Sequence, residues 1–425
     1  TVNPVPESVD VSGLPSGVTA AAAGAYHTCA LTTAGAVQCW GYNHDGQLGN
    51  GTNTDGSTPV AVSALTSGVV AIAAGADHNC ALTSSHGVKC WGNNQYGGLG
   101  NASTGPSTTP VDVSGLSSGV SAIAAGVYHT CALLANTGGV NCWGYNHFGQ
   151  LGNSSKIDSS TPVDVMGLTS GVLAITAGPN HTCALTTTGA VKCWGDNQYG
   201  QLGNNSMTVS TTPVNVSTLS SGVSAIASGH GADNTCALLG AGAMKCWGRN
   251  DAGQLGDGST TQRLTPVPVS NLASGVIAAA TGAGQTCALT SAGALLCWGR
   301  NNYGQIGEGS TTQRLTPGAI DTAQSIAFNP SPAAAMGESL HLSATASSGR
   351  AVSFDTWTPN TCSISGNTLT ISPTAPEQAQ CGVRVSQPGG TRVAGGSDAP
   401  ASQQLRLIRI SEFIFSDGFE YLGVQ

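Results

Sequence analysis

Charged side chains are scarce in this chain of 425 residues. Only 8% of the residues are Asp, Glu, Lys or Arg, whereas about a quarter are charged in an ordinary globular domain. The 13 Lys and Arg residues are not clustered and the formal net charge is −8, so the chain lacks the basic surface that nucleic acids bind. A polybasic patch for an anionic membrane is missing for the same reason. We therefore expect no nucleic acid partner.

Long apolar runs and aromatic side chains are also scarce. No run of about 18 apolar residues, the length that crosses a membrane as a helix, occurs in the chain, so we expect no transmembrane segment. Aromatic residues make up 5% of the chain and glycine contributes 60 residues, which indicates a core built largely from Ala, Val and Gly. No leader segment opens the sequence, and we interpret Thr1 as the residue that follows a removed signal peptide.

What the chain does contain is a repeated segment. Residues 181–203 read HTCALTTTGAVKCWGDNQYGQLG, and close copies of this segment occur six times. Each unit has four short strand patterns, such as residues 119–126, 129–133, 140–144 and 161–165, separated by Gly and Asn. The Trp after the second Cys recurs every 51 to 53 residues, at Trp40, Trp91, Trp143, Trp194, Trp247 and Trp298. Four strands in such a period are typical of a propeller blade.

Twelve of the 14 cysteines follow the repeat. If Cys29 faces Cys39 on adjacent antiparallel strands, their Cα atoms come within reach of a disulfide, and residues 33–35 form a tight turn. Such a framework forms in an oxidising compartment, so we expect export to an extracellular or cell-surface location. The local pairs are Cys29 with Cys39, Cys80 with Cys90, Cys131 with Cys142, Cys183 with Cys193, Cys236 with Cys246, and Cys287 with Cys297.

The repeat resembles the regulator of chromosome condensation repeat. The resemblance rests on the segments AG-x-x-HT-x-AL and G-x-V-x-x-WG-x-N, and on GQLG, found for example at residues 46–49 and 200–203. It implies an all-β fold, with a β-propeller over residues 17–320 in a secreted form stapled by cysteines. Propellers of this family typically have seven blades, whereas this chain has six complete units.

The closure of the predicted ring has two solutions. In one, the strand near residues 9–11 completes the last blade beside or instead of residues 316–320, which closes a six-bladed ring. In the other, the ring stays open and a neighbouring molecule completes it. We therefore predict residues 1–16 as an N-terminal strand that closes the ring or is donated to a neighbour.

The repeat stops after Asp321. Residues 324–410 show alternating strand patterns rich in Ser and Thr, and they resemble bacterial immunoglobulin-like modules. This resemblance implies a C-terminal β-sandwich in which Cys362 and Cys381 tie two strands together. Residues 411–425 are predicted as a separate tail, similar to the DGFE-containing endings of some exported bacterial proteins.

Aromatic residues recur at one position of the glycine-rich loops that follow the Trp. Tyr96, Phe148, Tyr199 and Tyr303 hold this position in four of the six units. Equivalent loops of a propeller lie on one face, so we predict an aromatic rim that binds a protein or a glycan. The alternative is that each ring packs on the loop of the next blade.

Basic residues concentrate in units five and six. Arg249 and Arg300 follow the WG dipeptide, and Arg263 and Arg314 belong to a shared GSTTQRLTP segment. A patch of this kind could bind a carboxylate or an acidic partner. The alternative is a recent duplication of one unit with solvated arginines.

Metal and catalytic sites are not predicted. A histidine precedes the first Cys by two residues in the first four units, but Asn234 and Gln285 replace it in the last two, which keep both cysteines. We therefore interpret the histidine as a structural residue that hydrogen-bonds within its blade. No grouping of His, Ser and Asp supports nucleophilic or acid–base chemistry. We predict no metal, no cofactor and no enzymatic activity. The histidines are His27, His78, His129 and His181.

The sequence favours a secreted or cell-surface bacterial binding module that recognises a protein or glycan with one propeller face. In the family that the repeat resembles, the eukaryotic founder is a nucleotide exchange factor for a nuclear GTPase, and a secreted bacterial member inhibits β-lactamase. The disulfides and the missing basic face disfavour the nuclear activity. The alternative function is a structural subunit that assembles with copies of itself into an extracellular filament or layer, because low charge and unpaired terminal strands permit it.

Overall fold

Every regular element that the structure describes is a β-strand. A computed structural model describes residues 11–14, 17–308 and 310–319, together with the strands between residues 326 and 409 given below. The chain divides into two compact units, with the main boundary in the sequence after residue 320, and each is described by itself. In the described part of the chain, no helix is long and apolar enough to cross a membrane.

The first unit is a six-bladed β-propeller, and this confirms the predicted fold. Each blade is a four-stranded antiparallel sheet in which neighbours in sequence are neighbours in space. The strands of blades 1 to 3 are β1 Val18–Ala23, β2 His27–Thr32, β3 Val37–Gly41, β4 Gly56–Ala61, β5 Val69–Ala74, β6 His78–Thr83, β7 Val88–Gly92, β8 Ser107–Asp112, β9 Val120–Ala125, β10 His129–Leu134, β11 Val140–Gly144 and β12 Ser159–Asp164. Those of blades 4 to 6 are β13 Val172–Ala177, β14 His181–Thr186, β15 Val191–Gly195, β16 Ser210–Asn215, β17 Val223–Ala227, β18 Asn234–Leu239, β19 Met244–Gly248, β20 Arg263–Pro268, β21 Val276–Thr281, β22 Gln285–Thr290, β23 Leu295–Gly299 and β24 Arg314–Ala319.

The central hairpin of each blade has the predicted register. In blade 1, Cys29 pairs with Cys39 and Leu31 with Val37, and Gly35 in the turn has a φ of 74°, which glycine adopts without steric cost. All six local cysteine pairs are disulfides, with Cα atoms 4.1 Å apart. The predicted framework is therefore confirmed in the propeller, and it indicates folding in an oxidising compartment.

The core consists of clusters that join one blade to the next. In a typical cluster, Cys131, Leu133 and Val140 of blade 3 pack with Ala184 and Trp194 of blade 4. Clusters of the same composition join the other consecutive blades from 1 to 6. The Trp residues of blades 2 to 6 therefore each stabilise the preceding blade, and burying such a side chain contributes about 1.5–3 kcal/mol.

A hydrogen bond from each of these Trp residues crosses the same seams. The indole N–H of Trp194 donates to the backbone carbonyl of Gln150 in blade 3, at 2.8 Å. Equivalent bonds of 2.8–2.9 Å start from Trp91, Trp143, Trp247 and Trp298. The Trp of the WG motif in one blade therefore contacts the GQLG motif of the preceding blade.

The histidines are structural, but their partners lie in the next blade. Nε2 of His129 is 2.9 Å from Oγ1 of Thr182, and His78 and His181 make the same contact with a threonine at 2.9 Å. Nε2 of His27 lies 2.9 Å from Oδ1 of Asn79 instead. The predicted bond within the blade is therefore wrong, because the side chain at the start of the second strand points across the seam. Gly126 of the AG-x-x-H motif has no room for a Cβ, which would collide with the His129 ring.

The last blade is completed by its own chain. Strand β24 pairs with β23, with Arg314 opposite Gly299, so the idea that an N-terminal strand replaces residues 316–320 is wrong. Residues 11–14 form a turn closed by a 3.4 Å bond from the Leu14 N–H to the Val11 carbonyl. Residues 9 and 10 lie outside the described residues.

Blades 1 and 6 each present one face that is less covered than its equivalents. Leu295 of blade 6 is 39% exposed, whereas Val191 at the same position of blade 4 is 0% exposed. Trp40 of blade 1 is only half-buried, whereas the five other propeller Trp residues are fully buried. Within residues 17–308, no carbonyl of blade 6 accepts a hydrogen bond from Trp40. We call the faces that carry Trp40 and Leu295 the terminal faces.

The second unit contains short antiparallel strands. They are β25 Ile326–Phe328, β26 Ser339–His341, β27 Ala344–Ala346, β28 Ser353–Thr356, β29 Cys362–Ser365, β30 Thr368–Ile371, β31 Gln380–Ser386 and β32 Gln404–Arg409. They pair as β25 with β27, as β26-β30-β29 and as β28-β31-β32. Cys362 is buried and disulfide-bonded, but the Cys381 side chain lies outside the described residues, so their pairing stays a prediction. The immunoglobulin-like sandwich stays a prediction too, and residues 411–425 also lie outside the described residues.

Candidate functional site

Asparagine side chains shape the loops in which the aromatic residues were predicted to bind. The Asn146 amide donates to the carbonyls of Ser155 and Ile157 at 3.1 and 3.0 Å, and its Oδ1 accepts from the Leu151 N–H at 3.0 Å. The N of the WG-x-N motif repeats this arrangement at Asn43, Asn94, Asn197, Asn250 and Asn301. The long loop between the third and fourth strands is thus fixed from inside in every blade.

A second set of backbone bonds brings two more positions beside these loops. The N–H of Tyr145, just after β11, donates to the carbonyl of Tyr128, just before β10, at 3.0 Å. The same bond forms in all six blades, so both positions lie at the end of the blade that carries the long loops. We call this end the loop face. Its side chains include Tyr26, Tyr42, Asp45, Asp77, Asn93, Tyr96, Tyr128, Tyr145, Phe148, Tyr199, Asp233, Arg249, Asp251, Arg300 and Tyr303.

The predicted rim residues Tyr96 and Phe148 belong to one aromatic cluster. The ring of Tyr96 lies 5.2 Å from that of Tyr128 and 4.8 Å from that of Tyr145, measured between centroids. Phe148 lies 6.3 Å from Tyr145, and all four rings are half-buried. Tyr96 of blade 2 therefore packs on loops of blade 3, as the alternative interpretation had it, yet the cluster keeps part of its surface on the loop face.

Arg249 is engaged by its own blade and by the preceding one. Its guanidinium donates to both carboxylate oxygens of Asp251, at 3.0 and 2.7 Å, and to Asp233 at 3.3 Å. It also lies 5.0 Å from the centre of the Tyr199 ring of blade 4, in the geometry of a cation–π contact. Burial raises the pKa of Asp233 although Arg249 opposes this effect. The predicted anion-binding role of Arg249 stays a prediction, and its charge already has internal partners.

The other predicted residues lie in blades 5 and 6. Tyr303 is 74% exposed, and no ring of the described residues packs against it. Arg300 is half-buried and follows the third strand, as Arg249 does. Arg263 is paired with Asp257 at 2.8 Å on the long loop of blade 5. Arg249 and Arg263 thus each have an acidic partner within blade 5, and the predicted patch of four arginines stays a prediction.

A shallow depression lies on the loop face of blades 1 and 2. It has a volume of about 470 Å³ and is lined by Tyr26, Tyr42, Asp45 and Asp77. The two rings are 6.3 Å apart in an edge-to-face arrangement, and Tyr26 is 76% exposed. Burial raises the pKa of the Asp77 carboxyl, a side-chain hydrogen bond with Gln47 and the nearby His27 oppose this shift, and the Asp45 carboxylate adds to it. This depression was not predicted from the sequence, although Tyr26 and Asp77 each directly precede one of the histidines in the sequence.

The four histidines are buried at the seams between blades. Burial lowers the pKa of His78, His129 and His181 to about 3, so these imidazoles are neutral at physiological pH. Each of these imidazoles bonds to a threonine side chain of the next blade. Among the described residues, no group of three or more His, Cys, Asp or Glu side chains has the geometry of a metal site.

Known proteins share this repeat and this architecture. A family model described as the RCC1-like domain matches residues 2–354. The ultraviolet-B receptor UVR8 of Arabidopsis thaliana is 34% identical over 314 residues, which cover 72% of this chain and 71% of that protein. The E3 ubiquitin-protein ligase HERC2 of Homo sapiens is 31% identical over 303 residues, which cover 69% of this chain but 6% of that protein.

Solved structures agree with the fold. Yeast RCC1 (Prp20) in complex with Kap60 superposes with a TM-score of 0.64 at 24% identity, over 73% of this chain and 77% of that one. Prp20p of Saccharomyces cerevisiae, described with its binding to Gsp1p and histones, gives 0.64 at 25% identity over 73% and 79%. With the family model spanning most of the sequence, the chain belongs to the RCC1-like domain family.

Proposed function

We propose that this chain is an exported, non-enzymatic recognition module that binds a protein partner through the loop face of its propeller. The RCC1-like propeller is a protein-interaction fold. The observation that carries the proposal is the aromatic cluster of Tyr96, Tyr128, Tyr145 and Phe148, which is held by rigid loops and keeps surface exposed beside acidic side chains. Rigid aromatic residues of this kind are the usual anchors of protein interfaces.

Export to the cell surface or medium of a bacterium is part of the proposal. Six disulfides within the propeller support an oxidising destination. The resemblance of residues 324–410 to bacterial immunoglobulin-like modules supports a spacer or anchor role for the second unit.

Site-specific photo-crosslinking tests this proposal. A benzophenone amino acid replaces Tyr303 on the loop face, and in a matched variant it replaces Thr187, an exposed residue of the turn at the opposite end of blade 4. The full chain is then irradiated with the envelope and culture medium of the producing cells. We expect a discrete protein adduct from position 303 and none from position 187. Retention on cell-wall polysaccharide without a protein adduct would instead indicate a glycan partner.

Self-assembly is a second candidate, favoured by the terminal faces. The exposed Leu295 and the half-buried Trp40 occupy positions that are buried at every seam between consecutive blades. Sedimentation and negative-stain electron microscopy of the full chain test this candidate. Oligomers that grow with concentration and disappear in Leu295→Asp would support it, and single discs at all concentrations would exclude it.

A further inference from the structure

The seam between blades 4 and 5 shows how the loop face holds a cation. Tyr199 comes from the long loop of blade 4, Asp233 precedes the second strand of blade 5, and Arg249 follows its third strand. The guanidinium lies over the tyrosine ring and against the carboxylate of Asp233, at 5.0 and 3.3 Å, and Asp251 completes its shell. A ring face and carboxylates together are the environment that a guanidinium prefers.

The seam between blades 1 and 2 has carboxylates at two of these three positions and no cation at the third. By the repeat, Asp45 is equivalent to Tyr199, Asp77 to Asp233, and Asn93 to Arg249. Asn93 is shorter and neutral, and its amide donates to Asp45 at 3.1 Å. Within the described residues, neither Asp45 nor Asp77 takes part in any of the ion pairs, which involve other aspartates.

Aromatic rings surround this pair of carboxylates. Tyr26 and Tyr42 line the depression of about 470 Å³ together with Asp45 and Asp77. The aromatic cluster adjoins it, since the N–H of Ala76, next to Asp77, donates to the carbonyl of Val127, next to Tyr128, at 3.2 Å. The depression therefore offers aromatic rings and carboxylates, as the surroundings of Arg249 do. Among the described residues, no Lys or Arg side chain lines it.

We propose that the depression bounded by Tyr26, Tyr42, Asp45 and Asp77 binds an arginine or lysine side chain from a basic segment of a protein partner. The inference rests on the proposed function and adds the chemistry of the partner. A neutral glycan would leave two neighbouring carboxylates without a counter-charge, whereas a cation relieves their repulsion and covers the rings. The net charge of −8 also attracts a basic segment to this surface.

A peptide-binding experiment with the oxidised full chain tests the proposal without the natural partner. The probe is a fluorescein-labelled glycine–serine peptide that carries three arginines, and the matched probe carries citrulline, a neutral isostere, at the same places. Fluorescence anisotropy measures the dissociation constant of each. We expect the arginine peptide to bind at least about tenfold more tightly than the citrulline peptide, because each charge-assisted contact contributes on this scale.

Three variants separate the depression from general electrostatic attraction. Asp45→Asn/Asp77→Asn removes the two carboxylates, and Asp112→Asn/Asp164→Asn removes the same charge from exposed positions on outer strands. Asn93→Arg supplies the chain's own cation, as Arg249 does in blade 5. We expect the first and third variants to weaken binding about tenfold and the second to leave it nearly unchanged.

The outcomes are distinct. Equal affinities for the two probes, or equal losses in the Asp45/Asp77 and Asp112/Asp164 variants, would overturn the inference. Wild-type affinity of Asn93→Arg would do so as well, because an internal arginine should fill the site. The proposed function fails separately, if the crosslinker at position 303 captures no protein.

Discussion

The Nε2 atom of His129 lies 2.9 Å from the hydroxyl oxygen of Thr182, so the second strand of one blade is bonded to the second strand of the next. His78 and His181 make the same contact. Burial lowers the pKa of these three histidines from 6.5 to about 3. A buried neutral imidazole at each of these three seams makes the stability of the propeller sensitive to acid.

Lowering the pH should therefore destabilise the protein well above pH 4. Below about pH 6.5 the unfolded chain protonates these histidines while the folded chain does not, so unfolding takes up protons and the free energy of unfolding falls. Each histidine contributes about 1.4 kcal/mol per pH unit down to its folded pKa. Urea denaturation at pH 7.5 and pH 5.5 measures the loss.

The variant His129→Asn tests the contribution of one of these histidines to the pH dependence of stability. Asn234 fills this position in blade 5 and donates to Thr286 at 3.4 Å, so the substitution has a precedent inside the molecule. We expect the pH dependence between 6.5 and 5 to become shallower by about 1.4 kcal/mol per pH unit. An unchanged slope would mean that His129 is protonated in the folded state.

Trp194→Ala and Trp40→Ala should differ although they change the same repeat position. Trp194 is fully buried and donates to Gln150 across a seam, so its removal should cost about 3–5 kcal/mol. Trp40 is half-buried and lacks such a bond within residues 17–308, and its loss should cost about half as much. Chemical denaturation of both variants gives the comparison, and equal costs would show that the terminal faces are packed like the other seams.

The disulfide of blade 6 should be the first to be reduced in the folded protein. Cys287 is half-buried, whereas the cysteines of blades 1 to 5 are at most 1% exposed, and thiol–disulfide exchange requires access to the sulfur. Mild reduction, alkylation and peptide mapping follow the order. Complete reduction should lower the melting temperature sharply, because each bridge contributes about 2–3 kcal/mol. Simultaneous reduction of all six bridges would contradict the predicted order.

Gly126→Ala should destabilise the protein, whereas Gly240→Ala should not. A Cβ at Gly126 would collide with the His129 ring and lie 2.5 Å from the Gly178 carbonyl oxygen, whereas no atom lies within 4 Å of a Cβ at Gly240. The first change should destabilise by about 1–3 kcal/mol, and the second should be neutral or stabilise by up to about 1 kcal/mol. Thermal melts of the two variants test the pair. A neutral Gly126→Ala would show that the ring can move aside.

Much of the blade could be predicted from the sequence because its determinants are local. The spacing of Cys29 and Cys39 sets the hairpin register, and the period of the Trp residues counts the blades. The partner of His129 is 53 residues away in the next unit, and no local pattern says whether a side chain points along its own sheet or across a seam. That is why the contact within the blade was predicted wrongly.

The loop face was only partly predictable for the same reason. The column of Tyr96, Phe148, Tyr199 and Tyr303 was visible in the repeat, but its environment depends on the neighbouring blade. Arg249 meets Asp251 within one loop, whereas Asp233 and Tyr199 come from other segments. A comparison of copies shows which residues differ, and the structure shows which of those differences face each other.

The terminal faces affect the order in which the blades of the propeller unfold. A closed ring couples every blade to two neighbours, whereas blades 1 and 6 each have one packed neighbour among the described residues. In a linear array the end units have the fewest stabilising contacts and open first. Blades 1 and 6 should then exchange their amide hydrogens and admit proteases before blades 3 and 4, leaving fragments that shorten from the ends in steps of about one repeat.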